Sequence, residues 1–118
     1  MSQQQIDALS VLDKDGYPSE RTLERLSGWD MLTQPLEELL SLLATNWKWG
    51  LKRTDWKDGT IKLYLATGGW SGNEEIIAAL SNNYLFWSLC WDKSKRGGAY
   101  WFTISPALRR MWANAKAD

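Results

Sequence analysis

The chain has 118 residues, 44% of them hydrophobic and 13% aromatic, with 14 basic and 14 acidic side chains and no histidine. That composition describes one globular domain with a modest core, not a disordered segment. Without histidine, Ser–His and Cys–His catalysis are excluded, and a lone cysteine, Cys90, leaves neither an internal disulfide nor a Cys/His metal site.

Residues 1–5 are polar and read as a frayed start. Ile6, Leu9 and Leu12 (or Val11) suggest a short helical turn ending near Asp15 and Gly16. A helix then opens with Ser19 as N-cap, Glu20 in its first turn, Leu23 and Leu26 on one face, and Gly28 as its stop. A second helix is expected from Thr33, with Pro35 in the first turn and Leu36, Leu39, Leu40 and Leu43 as its apolar stripe. The period then changes to two. Trp47, Trp49 and Leu51 alternate with Lys48, Gly50 and Lys52, as do Ile61, Leu63 and Leu65 with Lys62, Tyr64 and Ala66. Together they predict a hairpin around Asp58-Gly59, with Trp56 in its loop. A helix over 72–81 follows, broken at Asn82-Asn83. Strands are expected over 84–91 and 99–104, joined by a loop over 92–98, and Pro106 leads into a C-terminal helix over 107–115.

This order predicts a single α+β domain over residues 1–118, with 1–15 a partly frayed N-terminus. Its antiparallel sheet has about four strands, from two hairpins, with helices packed on one face. No stretch approaches the roughly 20 apolar residues of a membrane span. The Gln-rich start lacks a signal peptide's basic and apolar regions, so a cytoplasmic chain is expected.

Two loops stand out. Residues 67–75, Thr-Gly-Gly-Trp-Ser-Gly-Asn-Glu-Glu, join a strand to a helix, and Ser71 with Glu74 has the spacing of a capping box. Glycine-rich turns before helices also cradle phosphates, but the lysine of a phosphate loop is missing and two glutamates occupy the helix start. Residues 93–98 carry Lys93, Lys95 and Arg96 close to Trp91, Tyr100 and Trp101, which suits an anion with a flat ring as well as it suits a solvated turn. Nine tryptophans are too many for so small a core, so most should be half-buried, with two or three exposed as a contact surface. Charge is uneven: residues 1–46 hold eight acidic and three basic groups, residues 47–118 six and eleven. Glu74, Glu75, Asp55 and Asp58 are the candidate catalytic carboxylates; Glu74 and Asp58 already have structural roles, and no enzyme activity, metal or cofactor is expected.

From Asp15 onward the chain resembles a family of small uncharacterised proteins of phages, prophages and other bacterial mobile elements. The resemblance rests on Asp15-Gly-Tyr-Pro-Ser-Glu-Arg-Thr-Leu-Glu-Arg-Leu, on Thr67-Gly-Gly-Trp-Ser-Gly-Asn-Glu-Glu-Ile-Ile, and on Phe86-Trp followed by Arg96-Gly-Gly-Ala-Tyr-Trp-Phe102. Relatives often have histidine where this chain has Ala99. The family implies no established activity; it implies the company of accessory proteins that bind and disable host machinery, anti-CRISPR proteins among them. The expectation is therefore a non-enzymatic accessory protein that binds a host or phage protein through Trp70, Trp91, Tyr100, Trp101, Lys93, Lys95 and Arg96. The alternative is a nucleotide or short nucleic-acid binding module in which the 67–72 turn and the 93–98 loop meet.

Overall fold

A computed structural model describes residues 16–117, with side chains described through Trp112. The expected frayed start and first helical turn lie outside these residues. Chain order is α1 (Glu20–Ser27), α2 (Leu36–Asn46), β1 (Leu51–Asp55), β2 (Ile61–Ala66), α3 (Ser71–Asn82), α4 (Tyr84–Cys90), β3 (Trp91–Lys95), β4 (Ala99–Ile104) and α5 (Pro106–Ala117). The four strands form one antiparallel sheet in the order β1-β2-β4-β3, so the second hairpin docks with β4 beside β2. The α+β architecture is the one expected.

Alternation along the central strands decides which side of the sheet the core occupies. Ile61, Leu63 and Leu65 of β2 and Phe102 and Ile104 of β4 are buried, while their neighbours Lys62, Tyr64, Trp101 and Thr103 stay partly exposed. The helices cover the first set. Leu26, Leu39, Leu43, Ile76, Leu80, Phe86 and Trp112 join it in one cluster. At about 25 cal/mol per Å2 of apolar surface, such burial is the main stabilising contribution.

Local signals were right where side chain and backbone act over short range. Ser19 Oγ accepts the Thr22 amide and caps α1. Asp58 Oδ1 accepts the Thr60 amide in the β1–β2 turn. The second helix starts later than expected, at Leu36, because Asp30 ties up the preceding segment: its carboxylate accepts the Leu32 amide and the Thr33 hydroxyl.

Two strand expectations are corrected. The strand expected from Trp47 begins at Leu51, because Trp49 and Gly50 both adopt positive φ and kink the chain. Trp47 is consequently buried and Trp49 is 64% exposed. Residues 84–90 form a helix, and the edge strand lies over 91–95, where a loop was expected. Asn83 decides this. Its Oδ1 accepts the Phe86 amide as an N-cap, and its Nδ2 donates to the Leu26 and Trp29 carbonyls. With the helix started there, Phe86 and Cys90 face the core one turn apart.

The nine tryptophans divide by threes. Trp29, Trp47 and Trp112 are buried, Trp70, Trp87 and Trp101 are half-buried, and Trp49, Trp56 and Trp91 are exposed. Half-burial is therefore not the majority state. Trp112 donates its indole N–H to the Gln34 carbonyl, whereas the buried Trp29 and Trp47 N–H groups have no acceptor among the described residues.

Candidate functional site

The 67–72 turn and the 93–98 segment do meet. Thr67 N–H donates to the Gly98 carbonyl at 2.9 Å. Gly98 has φ +87°, and a Cβ there would overlap the Thr67 hydroxyl, so only glycine allows this approach. The junction is nevertheless no phosphate cradle. Beyond the Thr67 amide, Gly69 N–H donates to Thr67 Oγ1 and Trp70 N–H to the Thr67 carbonyl, so three of its amides are satisfied internally. Buried Asn73 locks the turn from below, accepting from Lys48 N and donating to the Lys48 and Thr67 carbonyls.

The expected capping box is absent. Trp70 is the N-cap of α3, with no side-chain cap bond, and Ser71 is already helical, its hydroxyl donating to the Tyr17 hydroxyl at 3.3 Å. The helix begins one residue earlier than the Ser71/Glu74 spacing implied. Trp70 itself is held between partners. Tyr17 lies 5.1 Å away ring to ring, Lys48 Nζ stands 4.3 Å from its ring, and a Cβ on Gly72 would strike the indole. A tightly packed residue of this kind holds the turn in shape.

The seven expected binding residues divide between places. Trp91 stacks on Trp87, and Tyr100 packs edge-on against the same ring, on the helix side of the sheet. Arg96 sits in the β3–β4 turn. Lys93, Lys95 and Trp101 lie on the opposite face, which no described helix covers.

That uncovered face is ordered by register. One row across the sheet reads Lys52, Tyr64, Trp101, Lys93: two aromatic rings on the central strands, with a lysine on each edge strand. Tyr64 and Trp101 are 5.0 Å apart, centroid to centroid, and Lys93 Nζ lies 4.8 Å from the Trp101 ring. The next row, about 7 Å away along the strands, reads Thr54, Lys62, Thr103, with Asp92 joining at the β3 edge. On the other side, Ala66, Ala99 and Lys95 leave a shallow floor leading to the loop junction. Trp56, 51% exposed, adds a third ring beyond Lys62, whose Nζ is 5.2 Å from it.

Charge is segregated along with shape. Among the described residues, the open face carries Lys52, Lys62, Lys93 and Lys95 against Asp92. Several carboxylates are instead engaged on the helix side, where Arg53 pairs with both Glu37 (2.8 Å) and Asp55 (2.7 Å) and Arg109 approaches Glu37. The Arg53 hydrogen bonds hold Glu37 and Asp55 below the usual carboxylate range and raise Arg53 further. Both converging acids are thus shifted the same way, unlike the split pair that acid–base hydrolysis needs. Burial pushes the Cys90 thiol up to about 12, which leaves it inert as a nucleophile near neutral pH. Among the described residues no group of His, Cys, Asp and Glu could hold a metal.

Lys52, Lys62, Tyr64, Trp56, Thr103 and Asp92 were missed as site residues. The alternation in β2 had set Lys62 and Tyr64 opposite the core, but assembling the face required knowing that β4 lies next to β2. No described helix is long and apolar enough to cross a membrane. Protein-family models, curated proteins and solved structures give no match to this chain.

Proposed function

We infer that the chain is a non-catalytic binding protein for single-stranded nucleic acid, with the uncovered sheet face as its contact surface. The Lys52–Tyr64–Trp101–Lys93 row supports this reading. Aromatic rings on the central strands of a four-stranded sheet offer stacking platforms to splayed bases, and flanking lysines take the phosphates. The segregated lysines answer the objection that a chain of zero net charge attracts no polyanion. Duplex DNA fits poorly, because its bases are stacked away from a flat sheet.

Each stacked base contributes roughly 1–3 kcal/mol. Trp101→Ala should therefore weaken binding of a fluorescent single-stranded oligonucleotide about 5- to 150-fold, measured by anisotropy. With three or four phosphates contacted, log K should fall with log salt at a slope of about −2 to −3. Unchanged affinity in a Tyr64→Ala/Trp101→Ala double variant would count decisively against the reading.

A protein-binding role has its own support. Tyr84 (85% exposed), Leu85 and Leu89 of α4 and Trp91 beside them form an apolar surface next to the β3 edge. Together with the resemblance to mobile-element proteins, it supports a cytoplasmic accessory protein that binds and inhibits a host defence protein. Capture of one defined partner by the wild type, lost in Leu85→Asp/Leu89→Asp, tests it.

A further inference from the structure

The open face holds one residue that a purely phosphate-binding surface would lack. Asp92 sits where the β3–β4 register slips: Trp91 pairs with Phe102 and Lys93 with Trp101, leaving Asp92 as the extra residue. In a regular strand Asp92 and Lys93 would point to opposite sides of the sheet. Here the irregularity turns both to the open side. Lys93 lies over Trp101, while Asp92 Oδ2 accepts the Thr103 hydroxyl at 3.3 Å and stands 3.8 Å from Lys62 Nζ. Bulges of this kind commonly re-aim a side chain beside a functional site.

The polarity of the cluster follows from its donors. Lys62 Nζ donates to Thr103 Oγ1 at 2.9 Å, so the threonine spends its one proton on Asp92. Asp92 is thereby held in place through Oδ2. Its Oδ1 has no partner among the described residues, and the side chain is 48% exposed. Lys62 and Thr103, which anchor this pair, lie one same-face row, about 7 Å of backbone, along their strands from Tyr64 and Trp101. The acceptor and the ammonium therefore border the ring pair, on the side where a base stacked on it would present an edge.

Building on the single-strand reading, we propose that Asp92 selects the stacked base, favouring guanine and rejecting thymine or uracil. Guanine offers N1–H and N2–H2 to the carboxylate and O6 to the Lys62 ammonium. Thymine and uracil offer one N–H flanked by two carbonyl oxygens, which the carboxylate repels. Cytosine, with one amino group, falls between.

The test compares three labelled heptamers by anisotropy: all-thymidine, the same with a central dG, and the same with a central dC. A single guanine cannot assemble a quadruplex. The wild type should prefer the guanine heptamer over all-thymidine by roughly 5- to 150-fold, the range of one good bidentate base contact. Asp92→Asn, isosteric and on an exposed edge strand, should bring the ratio of guanine-heptamer to all-thymidine affinity close to one. A structural role alone for Asp92 would move all three affinities together. Equal wild-type binding to the three heptamers, or a preference that survives in Asp92→Asn, overturns the selection and leaves the single-strand reading standing. No binding to any of them overturns both.

Discussion

Replacing Asn83 with alanine probes the one contact that decides how the middle of the chain folds. The Asn83 side chain is buried and makes three hydrogen bonds, to the Phe86 amide and to the Leu26 and Trp29 carbonyls. Asn83→Ala removes the cap of α4, leaves the Trp29 carbonyl without its Asn83 donor and leaves the Leu26 carbonyl with backbone partners only, the Trp29 amide at 3.4 Å among them. At about 1 kcal/mol per lost bond, the total is near 3 kcal/mol. For a domain of this size each kcal/mol moves Tm by roughly 3–5 °C, so a drop of about 10–15 °C is expected by circular dichroism. Asn83→Asp sharpens the test. It keeps the acceptor for the Phe86 amide but sets a carboxylate against two carbonyl oxygens, so it should be at least as unstable as the alanine variant. A loss under about 3 °C in Asn83→Ala, or wild-type stability in Asn83→Asp, would refute the account of why 84–90 is helical.

Gly98→Ala should destabilise by about 1–3 kcal/mol, read from urea unfolding, because the site has positive φ and a Cβ meets the Thr67 hydroxyl; an unaffected midpoint would mean that the two loops do not depend on that approach. The Glu37–Arg53 pair sets a pH dependence with a definite sign. Its folded carboxyl titrates below the ordinary 4.5, so its contribution is present above that value and is lost as pH falls through the lower folded one. The pair is largely exposed and adds at most about 1 kcal/mol. Glu37→Gln should accordingly flatten the acid limb of a stability profile slightly and leave pH 7 melting close to wild type; a steeper acid limb would contradict the assignment.

What the sequence made legible was local. The Ser19 cap, the Asp58-Gly59 turn and the alternation of Ile61, Leu63 and Leu65 each depend on neighbours within a few residues, and each appears as expected. The stretch 84–90 failed because a short apolar run fits a buried strand or a helix equally well. What tips it is Asn83 reaching the Leu26 and Trp29 carbonyls, more than fifty positions back. A spacing signal was available, since Asn83, Phe86 and Cys90 recur at helical intervals. β3 escaped notice for the opposite reason: all five of its residues are exposed, so no hydrophobic alternation marks it. The candidate site was half legible. Lys93, Lys95 and Trp101 had been singled out, but their companions come from β1 and β2, and only the strand order brings them together.

The central claim, that bases stack on the uncovered face, can be read from the tryptophans themselves. Each of the nine indole N–H groups gives its own signal in a nitrogen–proton correlation spectrum, assignable by single Trp→Phe substitutions. On titration with the guanine-containing heptamer, the Trp101 and Trp56 signals should move, while buried Trp29, Trp47 and Trp112 stay in place. Shifts gathered instead at Trp87 and Trp91, or no shifts at all, would contradict the account.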